Sequence, residues 1–232
     1  LPKSRHGKFG NLFRQLERFA LGMQLSQEER HWRWCCFLND EEVKKLISSK
    51  YHPNPVVIND VKSSFLKYFS NGGDLNETLL ADMNLVLPYD MLTKVDSMSM
   101  RNSLEVRVPF LDYRIVEFAF SIPVSSKIDD TIKKKIVQDA FRDELPEELY
   151  NRPKRGFEVP LLQWFRTDLK GDILNKYLDQ SVVREAGVFN ETAIESIKKR
   201  LFSNNPGDVH AQIWALIVFQ NWLEKYRNYI VL

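Results

Sequence analysis

The chain has 232 residues, a length that fits one domain or two small ones. Hydrophobic residues make up 44% and charged residues 28%, so the chain can bury a sizeable core and is not disordered over most of its length. The 33 Lys and Arg residues nearly balance the 31 Asp and Glu residues, leaving a net charge of +2. Nucleic-acid-binding proteins usually carry a clustered basic excess, so we expect no nucleic acid partner.

Two features bear on the compartment in which the protein works. Cys35 and Cys36 are adjacent, and neighbouring cysteines reach disulfide geometry only with strain, so we expect free thiols and a cytoplasmic location. The first residues lack the pattern of a signal peptide, so we expect none. The first residue is Leu1 and not methionine, so we expect a processed or shortened chain.

Apolar residues recur at helical spacing along most of the chain, and glycine, at nine residues, is scarce. In the first half, helices are predicted over residues 12–20, 61–69, 76–87 (stopped by Pro88) and 90–99. In the second half, the predicted helices are one that Asp112 caps and Pro123 ends, one over residues 132–141 after Asp129 and Asp130, one capped by Asn190 and running to Leu201, and one over 208–226.

Strand-forming and membrane-spanning stretches are nearly absent. The β-branched clusters at residues 56–58 and 229–232 are both short, and residues 145–160 hold enough prolines and glycines to predict a loop. Residues 209–223 carry no formal charge but are shorter than a membrane span and include polar side chains. We therefore expect a mostly α protein whose last helix is buried and does not enter a membrane.

Two segments that could suggest a phosphate-binding loop or a zinc site do not fit the spacing that such sites need. Residues 70–74 read S-N-G-G-D, but a phosphate-binding loop needs a preceding strand, so a plain interhelical loop is expected. The histidines share no metal-ligand spacing with one another or with the two cysteines, which predicts no structural zinc and two cysteines that act as small buried hydrophobes. The histidines are His6, His31, His52 and His210.

The first informative segment is residues 96–112, which read D-S-M-S-M-R-N-S-L-E-V-R-V-P-F-L-D. The residue before a proline avoids the helical region, so an extended piece is expected over 106–111. Glu105 and Arg107 are two residues apart and would point the same way in an extended stretch, forming one polar wall. Arg107 can then hold a carboxylate with two parallel hydrogen bonds. The alternative is a buried ion pair that holds a helix-to-loop bend.

The second segment is residues 151–161, which read N-R-P-K-R-G-F-E-V-P-L. Pro153 fixes the backbone beside Lys154, and Gly156 permits close approach of a ligand or another segment. A positioned lysine in such a loop suits phosphate oxygens. The alternative is a solvated basic turn.

Together these segments resemble the synthetase domain of glutamine-hydrolysing asparagine synthetases. The matching motifs are S-L-E-V-R-V-P-F-L-D with the preceding D-S-M-S-M, then L-P-E-E at residues 145–148, and R-P-K-R-G-F-E-V-P-L followed by Trp164. The resemblance is strong over residues 79–164. In this family a glutaminase domain with an N-terminal Cys releases ammonia from glutamine, and the synthetase domain uses ATP and Mg²⁺ to adenylate aspartate before ammonia forms asparagine.

The resemblance implies a fold as well as an activity. The expected fold is mostly α, as the helical C-terminal portion of an adenine-nucleotide α-hydrolase-like (PP-loop ATP pyrophosphatase) α/β domain, with the parallel sheet largely missing. The sequence contains neither the N-terminal Cys nor the family's S-G-G-x-D-S ATP loop. Residues 1–232 are therefore expected to be the C-terminal part of the synthetase domain, inactive alone and without a tightly bound cofactor. An apolar face left exposed is expected to drive self-association.

The resemblance also implies roles for individual residues. Lys154 would be catalytic and cofactor-binding, facing the α- and β-phosphates of ATP, and Arg107, Glu105 and Asp96 would line the substrate. No residue is assigned to a metal. Two alternatives stay open: an amidotransferase that acts on another carboxylate, such as a sugar acid or a peptide, and a non-catalytic helical scaffold module.

Overall fold

The computed structural model describes residues 16, 19–69, 73–150 and 159–229. The described chain is mostly helical. The α-helices are α1 (Gln27–Cys35), α2 (Asp40–Leu46), α3 (Pro55–Leu66), α4 (Leu75–Asn84), α5 (Thr93–Arg101), α6 (Tyr113–Ser121), α7 (Val124–Lys127), α8 (Lys135–Ala140), α9 (Leu161–Arg166), α10 (Lys170–Asp172), α11 (Gln180–Ala186), α12 (Glu191–Leu201) and α13 (Val209–Tyr226).

Short helical turns of other kinds connect these helices. Two π turns cover Leu87–Leu92 and Ile173–Tyr177, and 3₁₀ turns include Pro109–Leu111 and Glu147–Leu149. In the described residues, β-structure is limited to two isolated antiparallel bridges, one between Ile47 and Phe189 and one between Ile128 and Lys133. The expectation of a mostly α chain is therefore confirmed.

The chain forms two compact units, and the first combines both ends of the sequence. It comprises the described residues up to Lys62 and those from 159 onward, whereas the second runs from Ser63 to 150. The first unit has a continuous apolar core, contributed mainly by α9 and α11–α13. Its buried members are Leu162, Phe165, Ile173, Leu178, Val183, Val188, Phe189, Ile194, Ile197, Leu201, Val209, Ile213, Leu216 and Leu223.

The second unit is built differently, because Ala81 is its only fully buried apolar side chain among the described residues. Large apolar side chains on α5, on α6 and on the segment between them stay largely exposed, including Met98, Leu104 and Phe110. Such a surface is unusual for a free-standing domain and marks a contact region. The expected exposed apolar face therefore lies in this unit, and whether it drives self-association stays a prediction.

Helix capping follows the sequence closely. The side chain of Asn190 accepts hydrogen bonds from the backbone N–H groups of Thr192 and Ala193 at the start of α12. Asp112 accepts from the N–H of Arg114 at the start of α6, and that helix ends at Ser121 before Pro123. Each cap satisfies backbone donors that have no partner within the helix.

The short β-branched cluster 56–58 lies inside α3, which starts at Pro55, and the Asn54 side chain accepts a hydrogen bond from the N–H of Val56. One local interpretation was wrong. Pro88 does not stop a helix, since α4 already ends at Asn84 and Pro88 is the second residue of the π turn that leads into α5. Proline is tolerated in the first turn of a helical segment, where its missing N–H would have no partner.

The last helix matches the prediction over residues 208–226 and buries one face against the core, including Ile213, Leu216 and Leu223. No helix in the described ranges combines the length and the apolar content that crossing a membrane requires. The predictions for residues 12–15, 17–18, 70–72, 151–158 and 230–232 lie outside the described residues.

Candidate functional site

The first predicted motif begins where α5 ends. Asn102 closes the helix, and Ser103 adopts a left-handed conformation with φ of 55°. The N–H of Leu104 donates to the carbonyl oxygen of Ser99 at 3.0 Å, and the N–H of Ser103 donates to that of Met100 at 3.0 Å. These two bonds form a Schellman motif, in which glycine normally occupies the left-handed position. The chain thereby turns sharply out of the helix.

A non-helical stretch follows the turn. Residues 104–108 have no regular secondary structure, and Val108, just before the proline, has φ of −119° and ψ of 89°. The prediction of an extended piece over 106–111 was wrong for residues 109–111, because Pro109 begins a 3₁₀ turn there. Leu104, Val106 and Val108 alternate along this stretch with the two charged residues.

The structure brings Glu105 and Arg107 together. An Arg107 Nη2 to Glu105 Oε1 ion pair joins them, while the two side chains remain 85% and 68% exposed. The predicted common orientation is observed, but the alternative of a buried ion pair is not, since both groups stay in water. Exposed ion pairs contribute little to stability. The Arg107 guanidinium has five N–H donors in a fixed fork, which suits a second carboxylate.

Asp96 lies on the exposed side of α5 and is not part of this pair. The Ser99 hydroxyl donates to the backbone carbonyl of Asp96 at 3.2 Å, which leaves the Asp96 carboxylate out of that contact. Among the described residues, no ion pair joins Asp96 to Arg107. Lys154 lies outside the described residues, so its place relative to the pair stays a prediction.

A second ion pair fixes the far end of the motif. The Arg114 guanidinium donates from Nε and Nη2 to the two carboxylate oxygens of Asp112, each at 2.9 Å. These hydrogen bonds, together with one from the Arg114 backbone, lower the pKa of the Asp112 carboxyl group. Asp112 therefore stays ionised while it caps α6, so the end of the motif is held by both a helix cap and a bidentate ion pair.

An open apolar cleft of about 600 Å³ lies in the second unit beside the motif. Phe110 and Leu111 of the motif line it, together with apolar residues of α4, α6 and α8. One of the lysines at the cleft, Lys127, donates from Nζ to Asn76 Oδ1 at 2.5 Å, and burial lowers the pKa of its ammonium group. The sequence analysis predicted polar residues in this region but not the cleft, because the walls of the cleft come from helices that are distant in sequence.

The cysteines match the expectation of free thiols. Both are half-buried and not fully buried. Burial is the main influence on Cys36 and raises the pKa of its thiol, which keeps it protonated and unreactive near neutral pH. One contact was not predicted from the sequence: Cys35 Sγ lies 3.8 Å from His31 Nε2, one turn earlier on α1. The i, i+4 spacing of the two residues was the available signal.

Comparison with known proteins identifies the family. The model of the asparagine synthase family matches residues 3–224. Asparagine synthetase [glutamine-hydrolyzing] 1 of Bacillus subtilis is 29% identical over 183 residues, which cover 79% of this chain and 28% of the relative. A putative asparagine synthetase of Mycobacterium tuberculosis is 32% identical over 143 residues, covering 61% of this chain and 21% of that protein.

The rat asparagine synthetase is 31% identical over 118 residues, which cover 48% of this chain and 20% of that protein. The chain thus matches between a fifth and a little over a quarter of the length of these relatives. No solved structure matches the chain. The family match nevertheless covers nearly all of the sequence and includes both motifs, so the chain belongs to the asparagine synthase family.

Proposed function

We propose that the chain is the C-terminal part of the synthetase domain of an ATP-dependent, glutamine-hydrolysing asparagine synthetase. In this reaction the β-carboxylate of aspartate attacks the α-phosphorus of ATP and releases pyrophosphate. Ammonia derived from glutamine then attacks the acyl carbon of β-aspartyl-AMP, and AMP leaves as asparagine forms. The observation that carries the proposal is the family match over residues 3–224, which contains both the Glu105–Arg107 motif and Lys154.

Arg107 is proposed as the substrate-side cation. Its guanidinium and the carboxylate of its partner Glu105 are both exposed, so an incoming aspartate carboxylate can replace or join Glu105. Asp96 is proposed to lie on the same side of the substrate. We assign no residue of this chain to Mg²⁺.

Lys154 is proposed to act on the phosphates. An ammonium group held beside the α- and β-phosphates would stabilise the negative charge that develops as aspartate attacks and pyrophosphate departs. The neighbouring Pro153 fixes the backbone and so limits the freedom of the lysine before ATP binds.

The second unit supports the proposed place of the chain in a larger α/β domain. Among the described residues, its helices leave nearly all of their apolar side chains at least partly exposed, and they surround an open apolar cleft. Helices that cover a parallel sheet present such a surface, because their apolar faces pack on the strands. We propose that this unit packs on the sheet of a PP-loop-type domain.

The test is to measure the amounts of all products formed by the protein that carries this sequence. With aspartate, MgATP and glutamine, we expect asparagine, AMP and pyrophosphate in equal amounts. Formation of an amide only from a different carboxylate would identify the amidotransferase alternative, and no turnover with either glutamine or ammonia would favour the scaffold alternative.

The 232-residue chain alone is proposed to be inactive. One lysine supplies too few contacts to hold ATP tightly. Titration calorimetry of the chain with MgATP should therefore show no tight binding, and a dissociation constant in the low micromolar range would contradict this.

A further inference from the structure

A polar pocket of about 440 Å³ lies in the first unit, between α2 and α12, with Gln212 of α13 on its wall. A backbone hydrogen bond holds these two helices together, because the Asn190 N–H, just before α12, donates to the carbonyl of Leu46, the last residue of α2, at 2.8 Å. The pocket volume lies within the range of small-molecule sites. The pocket is therefore built into the fold of this unit and is large enough for a small organic ligand.

Two cations line the pocket without an anionic partner. Lys45 on α2 and Arg200 on α12 make no ion pair within the described ranges, whereas the neighbouring Lys44 pairs with Glu41 at 3.0 Å. The Lys45 ammonium group also makes no hydrogen bond there. Positive charges that converge on a concave surface raise the local concentration of anions.

A buried glutamine orients the arginine. Gln212 is only 9% exposed, and its Oε1 accepts a hydrogen bond from Arg200 Nη2. A guanidinium carries five N–H donors in a planar fork, so this bond leaves other donors of Arg200 for a ligand. Ser196 lies one turn before Arg200 and also lines the pocket, with a hydroxyl that makes no hydrogen bond in the described part of the chain.

The arrangement of these donors favours a phosphate group over a carboxylate. Lys45 belongs to α2, and Ser196 and Arg200 belong to α12, so the donors enter the pocket from two walls. A carboxylate offers two oxygens in one plane, whereas a phosphate monoester offers three acceptor oxygens in tetrahedral directions. Three oxygens can serve donors on separate helices at the same time.

One carboxylate, that of Glu42, also lies among the lining residues. Its Oε2 accepts from the Asn39 N–H at 2.8 Å in the capping box of α2. Lys45 and Arg200 contribute two positive charges and Glu42 one negative charge, so the lining carries a formal charge of +1. The pocket therefore still favours an anion.

We propose that this pocket binds the phosphate monoester of a small organic molecule. The phosphate oxygens accept hydrogen bonds from Lys45 Nζ, the Arg200 guanidinium and the Ser196 hydroxyl. The organic group lies against the apolar side chains of Leu46 and Ile197, which line the same pocket.

Titration calorimetry of the 232-residue chain tests the ligand class with three probes. Phenyl phosphate carries both parts of the ligand, benzoate replaces the phosphate by a carboxylate, and inorganic phosphate lacks the organic group. We expect saturable binding of phenyl phosphate and at least about tenfold weaker binding of the other two, because each has lost a hydrogen bond to a charged group or an apolar contact. No saturation by phenyl phosphate, or equally tight binding of either other probe, would overturn the proposal.

Two variants test the assigned cations. Lys45→Gln and Arg200→Gln should each weaken phenyl phosphate binding by about tenfold or more. The matched controls are Lys44→Gln and Lys199→Gln, which remove neighbouring positive charges that do not line the pocket and should change binding by less than about twofold. All four residues are exposed, so each variant should keep the native circular dichroism spectrum. Undiminished binding by either pocket variant would place phenyl phosphate elsewhere on the chain and refute the site.

Glu42→Gln tests the sign of the ligand charge. A glutamine can still accept the Asn39 N–H, so the capping box of α2 is kept. Removing a negative charge beside the phosphate should strengthen phenyl phosphate binding by roughly threefold or more. Unchanged or weaker binding would show that the ligand does not place its negative charge in this pocket, which would overturn the proposal.

Discussion

Ile47 and Phe189 face each other across a single antiparallel bridge that joins the N-terminal and C-terminal segments of the first unit. Backbone hydrogen bonds of 2.8 Å flank the bridge on both sides. The Phe189 ring is buried beneath it and meets the Phe219 ring edge-on, with the ring centres 5.2 Å apart. One side chain thus links the bridge to α13.

Phe189→Ala should therefore destabilise the first unit strongly. Removing a buried phenylalanine costs about 3–5 kcal/mol, since both the transferred apolar area and the cavity left behind contribute. Urea unfolding followed by circular dichroism measures the free energy of unfolding. Phe37→Ala, at an exposed site of the same unit, is the control and should change it by less than about 1 kcal/mol.

Local signals were predictable from the sequence, and pairings between distant segments were not. Asn190 and Asp112 cap their helices as expected, because a cap depends only on a short polar side chain and the next three residues. The β-branched cluster 56–58 is helical because the Asn54 and Pro55 helix start outweighs its β-branched composition. The Ile47–Phe189 bridge carries no local signal at all.

In the candidate site, too, the features set by local spacing were predictable and the others were not. The common direction of Glu105 and Arg107 followed from their two-residue spacing, which is a local property of extended backbone. Their exposure did not follow, because burial depends on what packs above them. The left-handed Ser103 was also missed, since that conformation favours glycine and serine gives no signal for it.

Arg107→Ala in the complete enzyme should raise the KM for aspartate and leave glutamine hydrolysis unchanged. A hydrogen bond to a charged group contributes about 1.5–3 kcal/mol, which corresponds to roughly a tenfold to hundredfold loss of affinity. Steady-state kinetics with varied aspartate measures it. Arg114→Ala is the matched control, because Arg114 is also exposed and also pairs with a carboxylate two residues away. If both variants behave alike, Arg107 has only a structural role.

Acid should weaken the second unit partly through Asp129. The N–H groups of Ile132 and Thr131 and the Thr131 hydroxyl donate to Asp129 Oδ1 and lower the pKa of its carboxyl group to about 2. The unfolded chain, with a pKa near 3.9, binds this proton more readily, so the stabilisation is present above about pH 4 and is lost as the pH falls toward 2.

Asp129→Asn isolates this contribution. At pH 5 the variant should have the lower urea midpoint, and the gap to the native chain should close between pH 4 and pH 2. Asp130→Asn, at the adjacent exposed aspartate, provides the control series. A gap that stays constant with pH would mean that the Asp129 hydrogen bonds do not depend on its charge.

The apolar cleft should make the 232-residue chain self-associate. Phe110 lines the cleft and is 64% exposed, so contact between copies would remove it from water. Burying such a side chain contributes about 1.5–3 kcal/mol, so Phe110→Glu should weaken association by roughly tenfold or more in sedimentation equilibrium. Phe118→Glu changes a similarly exposed ring on α6 that does not line the cleft and serves as the control. A strictly monomeric native chain would contradict the prediction.

Lys154→Ala in the complete enzyme should leave glutamate release from glutamine nearly intact and strongly reduce asparagine formation. Glutamine hydrolysis belongs to a different domain in this family, whereas Lys154 is proposed to meet the phosphates only while aspartate is adenylated. Removing a positioned cation from developing negative charge costs on the order of 3 kcal/mol, or about a hundredfold in rate. Lys154→Arg should restore little, because a planar guanidinium does not replace a compact ammonium group at a packed phosphate site. Pyrophosphate and glutamate release are measured in the same variant, with Lys50→Ala as an exposed-lysine control. An equal fall in both products would show that Lys154 maintains the fold of its proline-bounded loop and does not take part in adenylation.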